Sequence, residues 1–361
     1  MPVAAVVAWV ALRAERRNEP AVSRRLAVVG SLALALCAFG CKKKSSSDGP
    51  SAEVTGLAAV PASSEVVLAI DVQRVADSPL VDHAVDVLLQ RDPNLADRWK
   101  QLHDRCKLDL KNVNHVMLAI GPHPGPQPGT GPVLFIATGK LVETELAACV
   151  RSLVGTGSGG LTASPLGNRT MYEAKDGNRV VYFAFGRPDT VIMSANRDAV
   201  AESLGTGKKI TDNPDFTKWL AMVDQKAPIW AVGRVDERVK QGLVKVTNGA
   251  VTAGPSAMVV SIDPIGGAKI DLGAVMASPA DAKALESFAK TQLAGLAMVA
   301  QAKSLGTVVD QVKITADASV VRFAANLDMP AVNQLISVLD GGGGSAQSPP
   351  PSDGSNGSAG P

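Results

Sequence analysis

Aromatic residues make up only 4% of this 361-residue chain, which leaves few flat rings for stacking bases or sugars and argues against single-strand or glycan binding. Cysteine is as scarce, standing only at positions 37, 41, 106 and 149. The histidines, His83, His103, His115 and His123, include no HExxH pair. His103 and Cys106 sit three apart with no third ligand indicated, so no metal site is expected. No GxSxG elbow occurs, because Thr156 replaces the glycine needed before Ser158. Gly155, Gly157 and Gly160 match a dinucleotide fingerprint on paper, but they follow a helical pattern where the fingerprint must follow a strand. Gly207-Lys208 lacks the upstream glycine of a phosphate-binding loop. Asp71, Asp77, Asp82 and Asp86 read as helix-dipole partners and solvated faces rather than a site. No catalytic signature and no cofactor follow from these patterns.

Charge of either sign is also in short supply. The formal net charge is +2, and residues 1–40 hold Arg13, Arg16, Arg17, Arg24 and Arg25 against Glu15 and Glu19. A chain without that segment is near −1 and offers no basic footprint for nucleic acid. Hydrophobic residues at 46% are enough to build a packed core rather than a disordered chain.

What the chain does have is an ordered N-terminal arrangement. Arg24 and Arg25 precede an apolar run, Leu26 to Phe39, too short to span a bilayer. Ala38-Phe39-Gly40-Cys41 closes it, and Lys42, Lys43 and Lys44 follow. Two cations, a short apolar core and small residues before a cysteine form the anatomy of a removable export signal. This segment resembles that of bacterial lipoproteins, with the lipobox matched at Gly40 and Cys41 and departing from the commoner leucine at Ala38 and from small residues at Phe39.

The resemblance implies cleavage between Gly40 and Cys41 and acyl chains on Cys41. It implies a membrane contact through that anchor, in the cell envelope, facing the periplasm or the exterior. Two or three acyl chains hold stably where one binds reversibly, at about 0.8 kcal/mol per buried methylene. The three lysines would then lie among anionic head groups, adding about 1 kcal/mol each. The competing readings are an uncleaved amphiphilic anchor and an ordinary thiol at Cys41. Residues 1–21 make a long front end, so synthesis is expected to begin near Val22.

Five segments follow: an export signal at 1–40, the lipidated cysteine and a flexible tether at 41–53, α+β domains at 54–205 and 206–340, and a disordered Gly/Ser/Pro tail at 341–361. The order strand, helix, hairpin, helix, hairpin, helix recurs after Pro228. The expectation is an α+β fold of two related halves, each a mainly antiparallel sheet packed with helices. Val66–Val72 reads as a buried strand, Ser78-Pro79 as a helix start, and 308–316 with 320–327 as a late hairpin.

Cys106 and Cys149 are a candidate disulfide. Leu95, Trp99, Leu102 and Cys106 share one helical stripe, and Val142, Leu146, Cys149, Val150 and Leu153 share another, so both thiols point toward a core. Two inert buried thiols are the alternative. The segment 121–132, with Pro122, His123, Pro124, Pro126 and Pro128, is the candidate interaction loop, since alternating prolines favour an extended segment that a partner groove can read. A solvent-exposed hairpin connection is its plain alternative.

The start of the body, Pro61 to Val67, loosely resembles uncharacterised bacterial envelope proteins with a Pro-x-x-x-x-Val opening strand, and the resemblance implies no activity. The functional expectation is a non-enzymatic envelope lipoprotein that binds another macromolecule, with a protein partner and no nucleic acid. The alternatives are an exported hydrolase with dispersed Asp, Glu or His residues, and a carrier or sensor of a small apolar ligand held between the halves.

Overall fold

A computed structural model describes residues 53–91, 93–106, 112–122, 131–154, 159–302 and 306–341. Its apolar runs build one antiparallel sheet, whose inner strands, such as those at 133–139 and 190–194, are buried on both faces. In chain order the strands are β1 Val66–Asp71, β2 Val113–Ile120, β3 Val133–Gly139, β4 Gly160–Leu166, β5 Arg169–Asp176, β6 Arg179–Arg187 and β7 Thr190–Ser194, then β8 Ile229–Arg234, β9 Ala257–Asp263, β10 Gly267–Val275, β11 Val312–Asp317 and β12 Val320–Asp328. They lie side by side as β11-β12-β10-β9-β8-β1-β2-β3-β7-β6-β5-β4.

The α+β class is as expected. Two separate sheets are not found, because β1 pairs with β8 across the middle, with Val67 opposite Val232 and Ala69 opposite Trp230. Ser78 ties the two segments again: its hydroxyl donates to the Pro264 carbonyl at 2.8 Å rather than capping the helix that follows it.

The helices are α1 Val72–Val75, α2 Pro79–Arg91, α3 Pro93–Cys106, α4 Glu143–Val154, α5 Arg197–Leu204, α6 Pro214–Leu220, α7 Glu237–Val246, α8 Pro279–Ala302, α9 Gly306–Asp310 and α10 Met329–Gly341. One sheet face, carrying Val67, Ile136, Ile192, Val232 and Val259, is covered by residues 54–60, α5 and α6 through Val60, Val200 and Phe216. The opposite face meets α1 and α4 along β1–β3 and β6–β7, α8 along β10–β12 and the start of α10 at the far end. The expected strand from 308 starts later, since Gly306–Asp310 is helical and β11 begins at Val312.

β4 and β11 form the sheet's margins. β4 holds Pro165 and is mostly exposed, as expected for an edge position where a missing N–H is tolerated.

Two carboxylates fix the start of α8. Ser278 Oγ accepts from the Asp281 N–H at 3.1 Å, as an N-cap does, and donates to Asp281 Oδ2 at 2.7 Å. Asp281 Oδ1 also accepts from the Thr252 N–H at 2.7 Å and the Thr252 hydroxyl at 2.8 Å, pinning the 252–253 turn. These bonds, led by Ser278 and then Thr252, lower the Asp281 pKa to about 2. Glu286 is likewise lowered to about 2 by hydrogen bonds from Lys283 and Lys290, at 2.6 and 2.7 Å.

Because folding depresses these pKa values, the unfolded chain binds more protons between about pH 2 and the ordinary carboxylate value near 4. Their stabilisation is therefore complete above about pH 4 and is lost as pH falls toward about 2. Asp281→Asn should cost about 2 kcal/mol at neutral pH, since a charge-accepting network becomes neutral. It should also flatten the acid limb of urea-unfolding free energies, and an unchanged limb would remove Asp281 from the cause.

Candidate functional site

A groove of about 460 Å³ opens on the face of the sheet covered by residues 54–60, at the end where β1 finishes and β2 begins. Strand alternation sets its floor. Ala69, Met117, Ile136 and Trp230 come from β1, β2, β3 and β8, and the register brings Ala69 opposite both Met117 and Trp230 while Met117 faces Ile136. The floor is apolar because these are inward positions of central strands.

The rim is polar. Asp71 and His115 are cross-strand partners at the strand ends, and Thr55, Thr138, Arg187, Gln225 and Lys226 complete it. Register breaks between Val113 and His115 and between Phe185 and Arg187 flank the opening, which is where such irregularities re-aim side chains.

The N-terminal segment forms one wall. The Val54 N–H donates to the Gly186 carbonyl at 3.1 Å, and Arg187 lies 4.0 Å from Glu53. Gly186 permits this approach, since a Cβ there would collide with the Val54 carbonyl oxygen.

Beneath the wall, the Thr55, Thr138 and Thr190 hydroxyls lie 3.2 to 3.4 Å apart. Thr190 is also 2.9 Å from Asp189 Oδ1. A carboxylate only accepts, so the Thr190 proton shared toward Asp189 leaves its oxygen to accept from Thr138.

Arg187 grips Asp189 with two parallel bonds, one of them Nε to Oδ1 at 2.6 Å. The guanidinium holds the Asp189 carboxyl below its usual range, and the carboxylate raises the arginine in turn. Asp71 is occupied too, its side chain accepting the Arg74 N–H at 3.1 Å as the N-cap of α1. Arg74 Nη1 donates to the Lys226 carbonyl at 2.6 Å, fixing the opposite wall. The exposed Lys226 ammonium remains, with no hydrogen bond or ion pair among the described residues.

The residues expected from sequence lie elsewhere. Gly40 and Cys41 fall outside the described residues, as do His123, Pro124, Pro126 and Pro128. Pro122 is exposed at the base of its loop. That base is closed by the Gly121 N–H donating to the Pro132 carbonyl at 2.8 Å. The loop leaves β2 after Ile120 while the groove takes His115 and Met117, so the two features are near opposite ends of one strand.

Cys106 and Cys149 form a disulfide between α3 and α4, with Cα atoms 5.1 Å apart and 43 residues of separation. The bond borders a small cleft of about 70 Å³ next to Lys140 and Glu145. That cleft shares no lining residue with the groove, although its Asn112 and Lys140 stand three and two residues from the groove's His115 and Thr138. Among the described residues no group of three or more His, Cys, Asp or Glu is placed to hold a metal ion.

Sequence reasoning named none of the groove residues as a site. Ala69, Met117, Ile136 and Trp230 carry only the alternation of core strands, and the rim is gathered from positions 55 to 226 with no shared motif.

No protein-family model and no curated protein matches the chain. A solved structure, crystal form I of TP0453, is similar over 80% of this chain and 98% of its own, at 11% identity and a TM-score of 0.44. At that level the likeness assigns no function.

Proposed function

We propose that the protein is a non-enzymatic lipoprotein of the bacterial cell envelope, tethered through Cys41, whose folded body binds another macromolecule there. The observation that supports this reading is the order of the N-terminal sequence: Arg24-Arg25, an apolar run, Gly40-Cys41, three lysines and a polar linker. The folded body then begins at once, with Val54 already buried on the sheet. None of the described helices is long and apolar enough to cross a membrane.

Two related halves belong to the same proposal. Reading outward from the central pair, one side runs β1, β2, β3, β7, β6 and the other β8, β9, β10, β12, β11. The hairpin β5–β4 then stands as an addition to the first half. That mirrored order supports duplication of one strand, hairpin, helix, hairpin unit over residues 54–205 and 206–340.

The anchor is tested by growing a bacterial host on labelled palmitate. The parent should carry label and pellet with membranes, whereas Cys41→Ser should carry none and leave the membrane fraction. Equal partition and equal labelling of the two would overturn the proposal.

A further inference from the structure

We propose that helix α7 seats in an apolar groove of a partner protein, one wall of which carries carboxylates. The inference deepens the role proposed above and rests on it, since it names the kind of macromolecule the body holds.

The fold leaves one face of this helix uncovered. Of the five large apolar side chains exposed among the described residues, Val239 and Val246 both belong to α7, at 58% and 64%. They stand seven positions apart with Gly242 between them, which sets all three on one side of the helix over roughly 10 Å. Leu243 ties the helix to the core cluster of Val251, Ala282 and Leu285, and no residue of α7 is fully buried. At Gly242 a Cβ would meet nothing within 4 Å. Single exposed valines need no explanation, but anchors at i, i+3 and i+7 are how a helix enters a partner's groove.

Charge selects the partner. With its cap, the helix holds Arg238, Lys240 and Lys245 against Asp236 and Glu237. Glu237 is 3.3 Å from Lys240, and Asp236 accepts the Arg238 N–H as the N-cap. On α8, Glu286 is shared by Lys283 and Lys290, and Asp281 is buried among Ser278 and Thr252. Arg238 and Lys245 therefore remain, both exposed, seven positions apart along one side of the stripe and without an ion pair among the described residues. Carboxylates on the partner supply what the fold does not, whereas a second copy of α7 brings the same cations.

Position favours a protein over a lipid surface. Val66 lies opposite Gly233, so α7 leaves β8 at the end where β1 begins. The chain enters at the other end, where Val54 is fixed to Gly186 beside the row Asp71, His115, Thr138 and Thr190. A lipid-seeking helix also presents Trp, Phe or Leu, and this stripe presents valine and glycine.

The test replaces Gly242 with the photo-cross-linking residue p-benzoylphenylalanine in the full chain, inside the cells that make it. Irradiation should give one discrete adduct, mapped by mass spectrometry to an apolar protein segment bordered by Asp or Glu. Arg238→Glu with Lys245→Glu should cut its yield about ten-fold, as should Val239→Ser with Val246→Ser. Lys313→Glu, an exposed charge on β11, should leave it unchanged.

Circular dichroism checks each fold, and either double variant serves if the other does not fold. A lipid adduct, an adduct of twice the chain's mass, an adduct undiminished by a folded double variant, or no adduct at position 242 would overturn the proposal. The same photo-residue at Thr162 and Lys313 separates two failures. Adducts there with none at position 242 overturn the α7 surface alone, and none at any position overturns the binding role with it.

Discussion

Replacing both Cys106 and Cys149 by serine is expected to destabilise the protein by about 4 kcal/mol, the loop-closure value for the 43-residue separation. The loss should show as a melting temperature lowered by roughly 10 °C, and the same drop should follow addition of a phosphine reductant to the parent. The architecture sharpens the expectation. Helix α3 makes its main contacts with α4 and α2 rather than with the sheet, so the bond is its firmest link to the layers beneath. Hydrogen exchange should therefore quicken first in α3, while β1 and β2 keep their protection. An unchanged melting temperature on reduction would show that the bond does not constrain the chain.

Phe216→Ala should cost about 3–5 kcal/mol, the range for emptying a buried aromatic position. Phe216 is fully buried on α6 and packs edge-on against Trp219 with ring centroids 5.1 Å apart. Asn213 caps the helix and Pro214 opens it, so the two rings are delivered to the sheet face that also carries Trp230 and Val232. Arg234, stacked 5.4 Å above the Trp219 ring, provides the contrast. Its contact is half exposed and its removal should cost about 0.5–1 kcal/mol. Urea unfolding of the two variants measures both; a Phe216→Ala loss no larger than that of Arg234→Ala would show that α6 is not part of the cooperative core.

Much of the element order could be read from the chain because the strong signals were local. Val66 opens a buried strand as expected, and Pro79, after Ser78, opens a helix. Weak or short elements escaped. β4 is mostly exposed and includes Thr162, Ser164 and Pro165, so it lacks apolar alternation. Helix α6 has only seven residues, although Asn213-Pro214 was a start signal in plain view. Joining of the halves into one sheet could not be read, because β1 and β8 are both apolar runs whose pairing is decided by long-range packing rather than by either run. The groove was hidden for a related reason: Ala69 or Trp230 on a central strand looks the same whether a helix or open space lies above it. Helical spacing did carry the approach of Cys106 to Cys149, since both positions face inward on their own helices.

Pro165 has one more effect, on how neighbouring copies behave. Twelve strands with two unclosed margins could act as a template, each margin recruiting a strand from the next molecule until a fibre grows. On one margin proline has no amide hydrogen to offer. On the other, β11 places Lys313, Thr315 and Asp317 outward, so an approaching copy in register would have to crowd charged groups together. Both margins thereby disfavour the addition of a further strand, and the same hydrogen-bond grammar that builds the sheet meets a stop at each end.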